Sequence, residues 1–184
     1  MDKKVILLRH AETSQVRSTK SEKWYLSPIG IAQAKNLIDI QEMHMVDIIF
    51  SSPEAKAIGA LKPIAKFLNL EIGIIPELDE LKRSDVYLTN EEYLDTVQEV
   101  FRNPNSYHKK WETVENALKR FRKGMGQILQ SEFHTALVCS HGLVLTLYFC
   151  YLLDSFEDAY ERWRRLKFCS YGIIRAGQVI KDIV

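Results

Sequence analysis

The stretch VILLRHAETS, from Val5 to Ser14, decides how this chain is interpreted. Its four consecutive apolar residues are typical of a strand that is covered on both faces, as in a parallel sheet. The run ends on Arg9 and His10, a permanent cation next to a side chain that can act as a nucleophile. We therefore predict a buried first strand whose carboxyl end carries chemistry.

Apolar strands and amphipathic helices alternate along the rest of the chain. Further strands are predicted at VDIIFSS (46–52), EIGIIPEL (71–78) and TALVCSHG (135–142), with closing strands in RRLKFCSYGIIR (164–175) and QVIKDIV (178–184). One helix is predicted from Ser27 and Pro28, an N-cap followed by a proline at the first helical position. Others are predicted over about 54–70, 91–101, 111–130 and 144–153. The alternation predicts the α/β class, with three layers (α/β/α) and a mostly parallel central sheet.

Length and composition are those of one globular domain. The chain has 184 residues and a formal net charge of +1, which gives no electrostatic basis for a nucleic-acid or membrane partner. Its three cysteines show no paired spacing, and the apolar start is too short for a signal peptide. We predict a single cytoplasmic domain over residues 1–184, with a small cap or substrate segment at about 80–110.

Two histidines, His10 and His141, each end an apolar strand, and each is followed by a small residue that lets a ligand approach the backbone. Ligands bind beyond the carboxyl ends of parallel strands, so both rings are expected at one edge of the sheet. A neutral imidazole can attack phosphorus, and cations stabilise the phosphoryl oxygens. Arg9 would supply a planar fork of donors, and Lys56 a further positive charge. The arrangement indicates phosphoryl transfer.

A departing alkoxide needs a proton from a nearby acid. The stretch PELDELKRS (76–84) offers Glu77, Asp79 and Glu80 just past the third predicted strand. An acid there must hold its proton near neutral pH, through burial or a neighbouring anion. These residues taken alone leave the choice among the three open.

Five motifs occur in one order along the chain: LLRHAET (7–13), LSPIGIAQA (26–34), SSPEAKAI (51–58), LDEL (78–81) and LVCSHG (137–142). Together they resemble the histidine phosphatase superfamily, the phosphoglycerate-mutase-like group. The resemblance implies that fold and a histidine acid-type phosphatase. Such an enzyme is a metal-independent phosphomonoester hydrolase, needs no cofactor and acts on a small phosphorylated metabolite.

The resemblance also implies roles for individual residues. His10 would be the phosphohistidine nucleophile, and Glu80, in the place of the family's Leu-x-Glu, the proton donor. The phosphate or substrate would be held by Arg9, Lys56, His141, Thr13, Gly142 and Arg17. In WETVENALKR (111–120), Glu112 and Arg120 are similar to a helix start of the family and imply a structural role.

Three positions depart from the family pattern. Lys56 stands where the family usually has an arginine, and lysine keeps the charge but loses the fork. Val16 stands where an asparagine is frequent, with Arg17 beside it, and LKRSDVYL (81–88) replaces the usual glycine and Trp-Glu-Gly residues. Lys82 and Arg83, close to Glu80 in sequence, could contact an anionic substrate, but we interpret them as solvated charges. Two alternatives stay open: a phosphoglycerate-type mutase and a catalytically weak, phosphate-binding pseudo-phosphatase. The natural substrate and the oligomeric state, monomer or homodimer, are also open.

Overall fold

The computed structural model describes residues 2–15, 19–84 and 88–184. The strands in these ranges are β1 (Lys4–Arg9), β2 (Ile48–Ser51), β3 (Ile72–Ile74), β4 (Thr135–Ser140), β5 (Tyr171–Arg175) and β6 (Gln178–Lys181). The α-helices are α1 (Pro28–Asn36), α2 (Ala55–Leu68), α3 (Asn90–Arg102), α4 (Val114–Gln130), α5 (Gly142–Leu153) and α6 (Ala159–Arg165). Short 3-10 segments lie at Ser21–Lys23, Leu37–Asp39, Gln41–Met45, Pro76–Leu78 and Phe156–Asp158.

In the described ranges, the strands form one sheet in the order β3-β2-β4-β1-β5-β6. The pairs β1–β4, β2–β4 and β2–β3 are parallel, whereas β5 runs antiparallel to β1 and β6 antiparallel to β5. The last two strands are joined by Ala176 and Gly177, both at positive φ, and so short a connection can only join antiparallel strands. The sheet is therefore mixed but mostly parallel, as predicted.

Helices cover both faces of the sheet. Successive side chains of a strand point to opposite faces, and β1 shows this clearly. Val5 and Leu7 pack in a core with residues of α4 and α5, whereas Ile6 and Leu8 pack in a second core with residues of α1 and α2. All four are at most 2% exposed, which explains the uninterrupted apolar run. The predicted three-layer α/β/α architecture is confirmed.

Several predicted boundaries are wrong. The strand predicted over 71–78 ends at Ile74 and is followed by the 3-10 segment Pro76–Leu78, and α5 begins at Gly142 rather than at residue 144. Helix α4 begins at Val114 rather than near residue 111, because the Thr113 hydroxyl caps it by accepting a hydrogen bond from Asn116 N–H at 3.2 Å. Arg164 and Arg165, predicted at the start of a closing strand, lie in the helix α6. This helix is only two turns long, too short for a helical period to be visible in the sequence.

The sheet register brings the ends of β1, β2 and β4 together. Arg9 at the end of β1 pairs with Ser140, and Ser51 at the end of β2 pairs with Cys139. Residues that directly follow these strands therefore meet at one edge of the sheet, where an α/β protein places its ligands.

The predicted cap segment contributes Leu81, Val97 and Val100 to the same core as α4 and α5. Its role in substrate binding stays a prediction. Over the part of the chain described here, no helix has both the length and the apolar character that crossing a membrane requires.

Candidate active site

His10 lies directly after β1, and hydrogen bonds fix both its backbone and its ring. Its N–H donates to the carbonyl of Ser140 at 3.0 Å, and its own carbonyl accepts from the N–H of Cys169 at 3.4 Å. Nδ1 of the ring lies 2.7 Å from the carbonyl oxygen of Ala11. A carbonyl can only accept, so Nδ1 carries the proton. Nε2 therefore keeps its lone pair and is the nitrogen that can attack.

The loop after His10 is anchored to the start of α1. The Ser27 hydroxyl donates to Glu12 Oε1 at 2.7 Å and accepts from the N–H of Gly30 at 3.0 Å, acting as the predicted N-cap. A Cβ atom on Gly30 would lie 2.0 Å from the carbonyl oxygen of Glu12. Only glycine permits this close approach of helix and loop, so α1 helps to set the position of the nucleophile.

His141 follows β4, and its ring centroid lies 5.2 Å from that of His10. The side chain is completely buried. Its Nε2 lies 2.6 Å from Ser52 Oγ and 3.4 Å from Glu54 Oε1, whereas Nδ1 has no hydrogen-bond partner within the described ranges. The two histidines that end separate strands therefore converge on one space.

Lys56 and Glu54 form a buried ion pair beside His141. The Lys56 ammonium donates to Glu54 Oε2 and, at 2.8 Å, to the carbonyl of Ser21. The two side chains are 5% and 6% exposed. Glu54 is not among the residues predicted from the sequence, although a carboxylate two residues before Lys56, in the turn after a buried strand, is a signal that could have indicated it. Its presence means that Lys56 is not an uncompensated cation.

The guanidinium group of Arg9 lies against the first turn of α5. It donates to the carbonyl of Leu166 and lies over the ring of Phe168, 4.4 Å from the centroid. A Cβ atom on Gly142 would be 3.3 Å from Arg9 Cζ, so the glycine makes room for the cation. Burial lowers the pKa of Arg9 and the charge of Glu80 raises it, but a guanidinium group stays protonated.

Arg83, interpreted from the sequence as a solvated charge, faces the site. Its Nη2 donates to Ser21 Oγ at 2.5 Å, and its Cζ lies 5.5 Å from the ring centroid of Tyr93 and 5.9 Å from that of Trp111. Ser21 thus holds Arg83 through its hydroxyl and Lys56 through its carbonyl. Two cations held by one residue next to two histidines are suited to an anionic ligand. No spacing of residues in the sequence reveals this position of Arg83, because Tyr93 and Trp111, whose rings it faces, lie well beyond it along the chain.

The two imidazoles are held neutral by their surroundings. Burial, followed by the charges of Lys56, Arg9 and Arg83, lowers the pKa of His10 to about 3. Burial and the neighbouring His10 lower the pKa of His141 well below its ordinary value. A neutral imidazole is the nucleophilic form, and the cations that keep it neutral are the groups that would hold a phosphoryl anion.

The candidate acids occupy different environments. Glu77 lies outside the site and pairs with Lys123, whose Nζ is 2.7 Å from Glu77 Oε1. Glu80 lies at the start of α5, where its carboxylate accepts hydrogen bonds from the N–H groups of Leu143 at 3.1 Å and Val144 at 3.0 Å. A carboxylate is favourable at a helix N-terminus, so Glu80 links the loop that follows β3 to the helix that follows His141.

Asp79 lies near His141 and Glu54. Asp79, His141 and Glu54 each place one nitrogen or oxygen atom within 4.8 Å of the others. Burial, and next the charge of Glu54, raise the pKa of Asp79 to about 6, and its Oδ1 has no hydrogen-bond partner in the described ranges. These are the described side chains that come near enough together to hold a metal ion. We assign no metal to them, because the ammonium of Lys56 already binds one of the two Glu54 oxygens.

The remaining predicted substrate residues are less informative. Thr13 lies in the loop after β1 and forms an isolated β-bridge with Leu26. Arg17 and the neighbouring Val16 lie outside the described residues, so their predicted roles stay predictions.

A profile of the histidine phosphatase superfamily (branch 1) matches residues 5–179. None of the curated proteins is significantly similar in sequence.

Solved structures share the fold over almost their whole length. A putative alpha-ribazole-5'-P phosphatase from Escherichia coli K-12 is 20% identical, with a TM-score of 0.74, and the match covers 99% of this chain and 95% of that one. A phosphoserine phosphatase variant from Entamoeba histolytica, in complex with phosphoserine, is 21% identical, with a TM-score of 0.76 and coverage of 97% and 95%. A mycobacterial glucosyl-3-phosphoglycerate phosphatase is 16% identical, with a TM-score of 0.75 and coverage of 95% and 91%. At these identities the similarity concerns the fold alone. Because the family profile spans nearly the entire sequence, the chain belongs to the histidine phosphatase superfamily, branch 1.

Proposed function

We propose that this protein is a metal-independent phosphomonoester hydrolase that acts through a phosphohistidine on His10. The observation that carries the proposal is the state of the His10 ring: its Nδ1–H is bound by the Ala11 carbonyl, which leaves Nε2 free. The ring of His141 lies 5.2 Å away, and three cations, Arg9, Lys56 and Arg83, lower the pKa of His10. A neutral nucleophile in a cationic setting is what attack on a phosphate ester requires.

The proposed reaction has two steps. His10 Nε2 attacks phosphorus, the P–O bond to the alcohol breaks, and Glu80 gives its proton to the departing alkoxide. A water molecule then attacks the phosphohistidine, the P–N bond breaks, and Glu80 takes the proton from the water. Inorganic phosphate leaves, and the starting state of both side chains is restored.

The transferred group would be held by charge around its three free oxygens. Arg9, Lys56 and His141 are proposed for this, as the family resemblance implies, and the position of Arg83 supports its addition to the set. The charge of Lys56 is partly offset by Glu54, and an ammonium group has no planar pair of donors. The guanidinium of Arg83 would supply both a further positive charge and planar donors.

Asp79 is a second candidate for the acid. Burial raises its pKa to about 6, which suits an acid that works near neutral pH. The Glu80 carboxylate is engaged with the first turn of α5. The variants Glu80→Gln and Asp79→Asn decide the matter with an alkyl phosphate, whose poor leaving group needs the proton. If Glu80 is the donor, kcat falls about 10²–10⁴-fold in Glu80→Gln and much less in Asp79→Asn. The reverse order would assign the role to Asp79.

The central test is hydrolysis of p-nitrophenyl phosphate with excess chelator. We expect unchanged wild-type turnover in chelator and a loss of at least about 10³-fold in His10→Ala. His44→Ala is the matched control, because His44 is exposed, lies in the 3-10 segment before β2 and bonds the carbonyl of Ile38. Wild type and His10→Ala releasing phosphate equally slowly would contradict the proposal and favour the pseudo-phosphatase alternative. Isomer formation from a phosphoglycerate, without free phosphate, would favour a mutase.

The natural substrate is proposed to be a small phosphorylated metabolite. Phosphoserine, alpha-ribazole 5'-phosphate and glucosyl-3-phosphoglycerate head the panel, since structurally similar proteins bear these names. A comparison of kcat/KM across the panel would identify the preferred class.

A further inference from the structure

The reaction proposed above does not use Glu54, although this carboxylate is 6% exposed and contacts two groups of the proposed phosphate pocket. One oxygen binds the ammonium of Lys56, and the other lies 3.4 Å from His141 Nε2. Ser52 Oγ, 2.6 Å from the same nitrogen, accepts from the Glu54 N–H at 3.4 Å. Glu54 and Ser52 thus both engage the Nε2 side of the His141 ring.

The other nitrogen of the ring is in the opposite situation. Nδ1 of His141 is buried and has no hydrogen-bond partner in the described part of the chain, in a side chain with no exposed surface. A buried polar atom without a partner is costly unless a ligand supplies one. The ring lies 5.2 Å from that of the proposed nucleophile, so a phosphoryl oxygen is the partner at hand.

His141 is already proposed above to hold a phosphoryl oxygen. We propose that Glu54 is the positioning residue that keeps a proton on Nε2 of His141, so that the ring meets that oxygen through Nδ1–H as an imidazolium. This inference rests on the proposed function, since it concerns the phosphate pocket of that reaction. Binding of the anion then takes up one proton from solvent. On the Nε2 side, the hydrogen-bond partner of the ring is Ser52 Oγ at 2.6 Å, and the Glu54 carboxylate at 3.4 Å stabilises the positive charge. On the Nδ1 side, the ring proton would be donated to the phosphoryl oxygen.

Electrostatics explain why both partners are needed. Among the described residues, the charged or titratable groups around the ring are His10, Arg9, Lys56, Arg83, Glu54 and Asp79, with Glu80 nearby on the first turn of α5. In the empty pocket, burial and the cations disfavour a charged His141. An incoming dianion offsets these cations, and the Glu54 carboxylate stabilises the imidazolium from the other side. If the ligand or the Glu54 carboxylate is missing, the His141 ring stays neutral and offers one hydrogen-bond donor at most.

Sulfate is the probe for the first experiment, because it stays a dianion across the pH range used and is not hydrolysed. Nitrogen-detected NMR of the wild-type protein follows both ring nitrogens of His141 while sulfate is added. We expect Nδ1 to respond most strongly, and the apparent pKa of the ring to rise on saturation. A response confined to Nε2, no change in protonation, or no sulfate binding would each overturn the inference.

The second experiment compares Glu54→Gln with Glu71→Gln, which removes the same charge from an exposed position. In sulfate-saturated Glu54→Gln, we expect the His141 pKa to be lower than in wild type by about one unit or more, and sulfate affinity at pH 7.5 to fall about tenfold. Glu71→Gln should match the wild type. If Glu54→Gln binds sulfate more tightly, Glu54 is instead a competing anion and the inference is wrong.

These results are separable from the proposed function. Failure of the hydrolase proposal appears as absence of turnover in the wild type, whereas failure of this inference appears in sulfate titrations, which need no turnover. If Glu54→Gln does not fold, the wild-type NMR titration still decides which nitrogen meets the anion.

Discussion

The clamp formed by Arg120 and Glu112 offers the sharpest test of how the acid-bearing loop is held. From α4, Arg120 donates to the carbonyls of Glu77 and Asp79, both at 2.9 Å, and of Glu80 at 3.0 Å. The same guanidinium binds both oxygens of Glu112, at 3.1 and 2.8 Å. The structural role implied for this pair is confirmed by these contacts. One side chain therefore fixes the backbone of the segment that carries Glu80.

The perturbation is Arg120→Met, which keeps most of the volume and removes every donor. It leaves the Glu112 carboxylate, 13% exposed, without its cation and frees three backbone carbonyls. Breaking a largely buried ion pair by removing one partner costs about 3–5 kcal/mol. For a domain of this size each kcal/mol lowers Tm by about 2–4 °C, so Tm should fall by about 10 °C.

Urea denaturation gives the free energy of unfolding, and the control is Arg122→Met on the same helix. Arg122 is exposed and lies 4.3 Å from the ring of Tyr151, so its loss should cost no more than about 0.5 kcal/mol. The double variant Arg120→Met/Glu112→Gln should be less destabilised than the two single variants added together, because no buried charge is then left unpaired. A loss in Arg120→Met of under about 1 kcal/mol, or one equal to the control, would refute the reasoning.

Three further predictions use other parts of the site. The native pKa of His10 is about 3, so the unfolded chain takes up a proton near pH 6.5 while the native chain does not. The free energy of unfolding should thus fall as the pH is lowered. Between pH 7 and 5, the wild type should lose more of it than His10→Gln, by on the order of 2 kcal/mol. Urea denaturation that gives the same pH dependence for both proteins would contradict this. Arg83→Gln should raise KM for p-nitrophenyl phosphate about tenfold, and an unchanged KM would remove Arg83 from the phosphate pocket. Gly30→Ala should cost about 2–3 kcal/mol in thermal unfolding, because its Cβ would meet the Glu12 carbonyl. Gly126→Ala, with nothing within 4 Å of the new Cβ, should instead stabilise α4 slightly, and equal effects of the two would refute the packing argument.

The local pattern of apolar residues was sufficient to predict the strands that are buried on both faces. The inner residues of β1 (5–8) and β4 (136–139) are apolar because both faces of these strands are covered, and the ends of the two strands locate His10 and His141 without any tertiary information. Ser27 and Pro28 likewise mark the start of α1 through short-range chemistry alone. Local pattern was insufficient for α6, which is too short to show a period, and for the antiparallel direction of β5.

The sequence by itself thus determined the α/β layers, the family and the two histidines. Only the tertiary structure decided the ionic content of the pocket: it buried Glu54 against Lys56, turned Arg83 toward the histidines, and separated Asp79 and Glu80 from Glu77. The physical reason is that local periodicity reports which positions are apolar, whereas the environment of a charged side chain depends on the elements that pack over it. Those elements, here α5, the segment at Ser21 and the rings of Tyr93 and Trp111, come from distant parts of the chain.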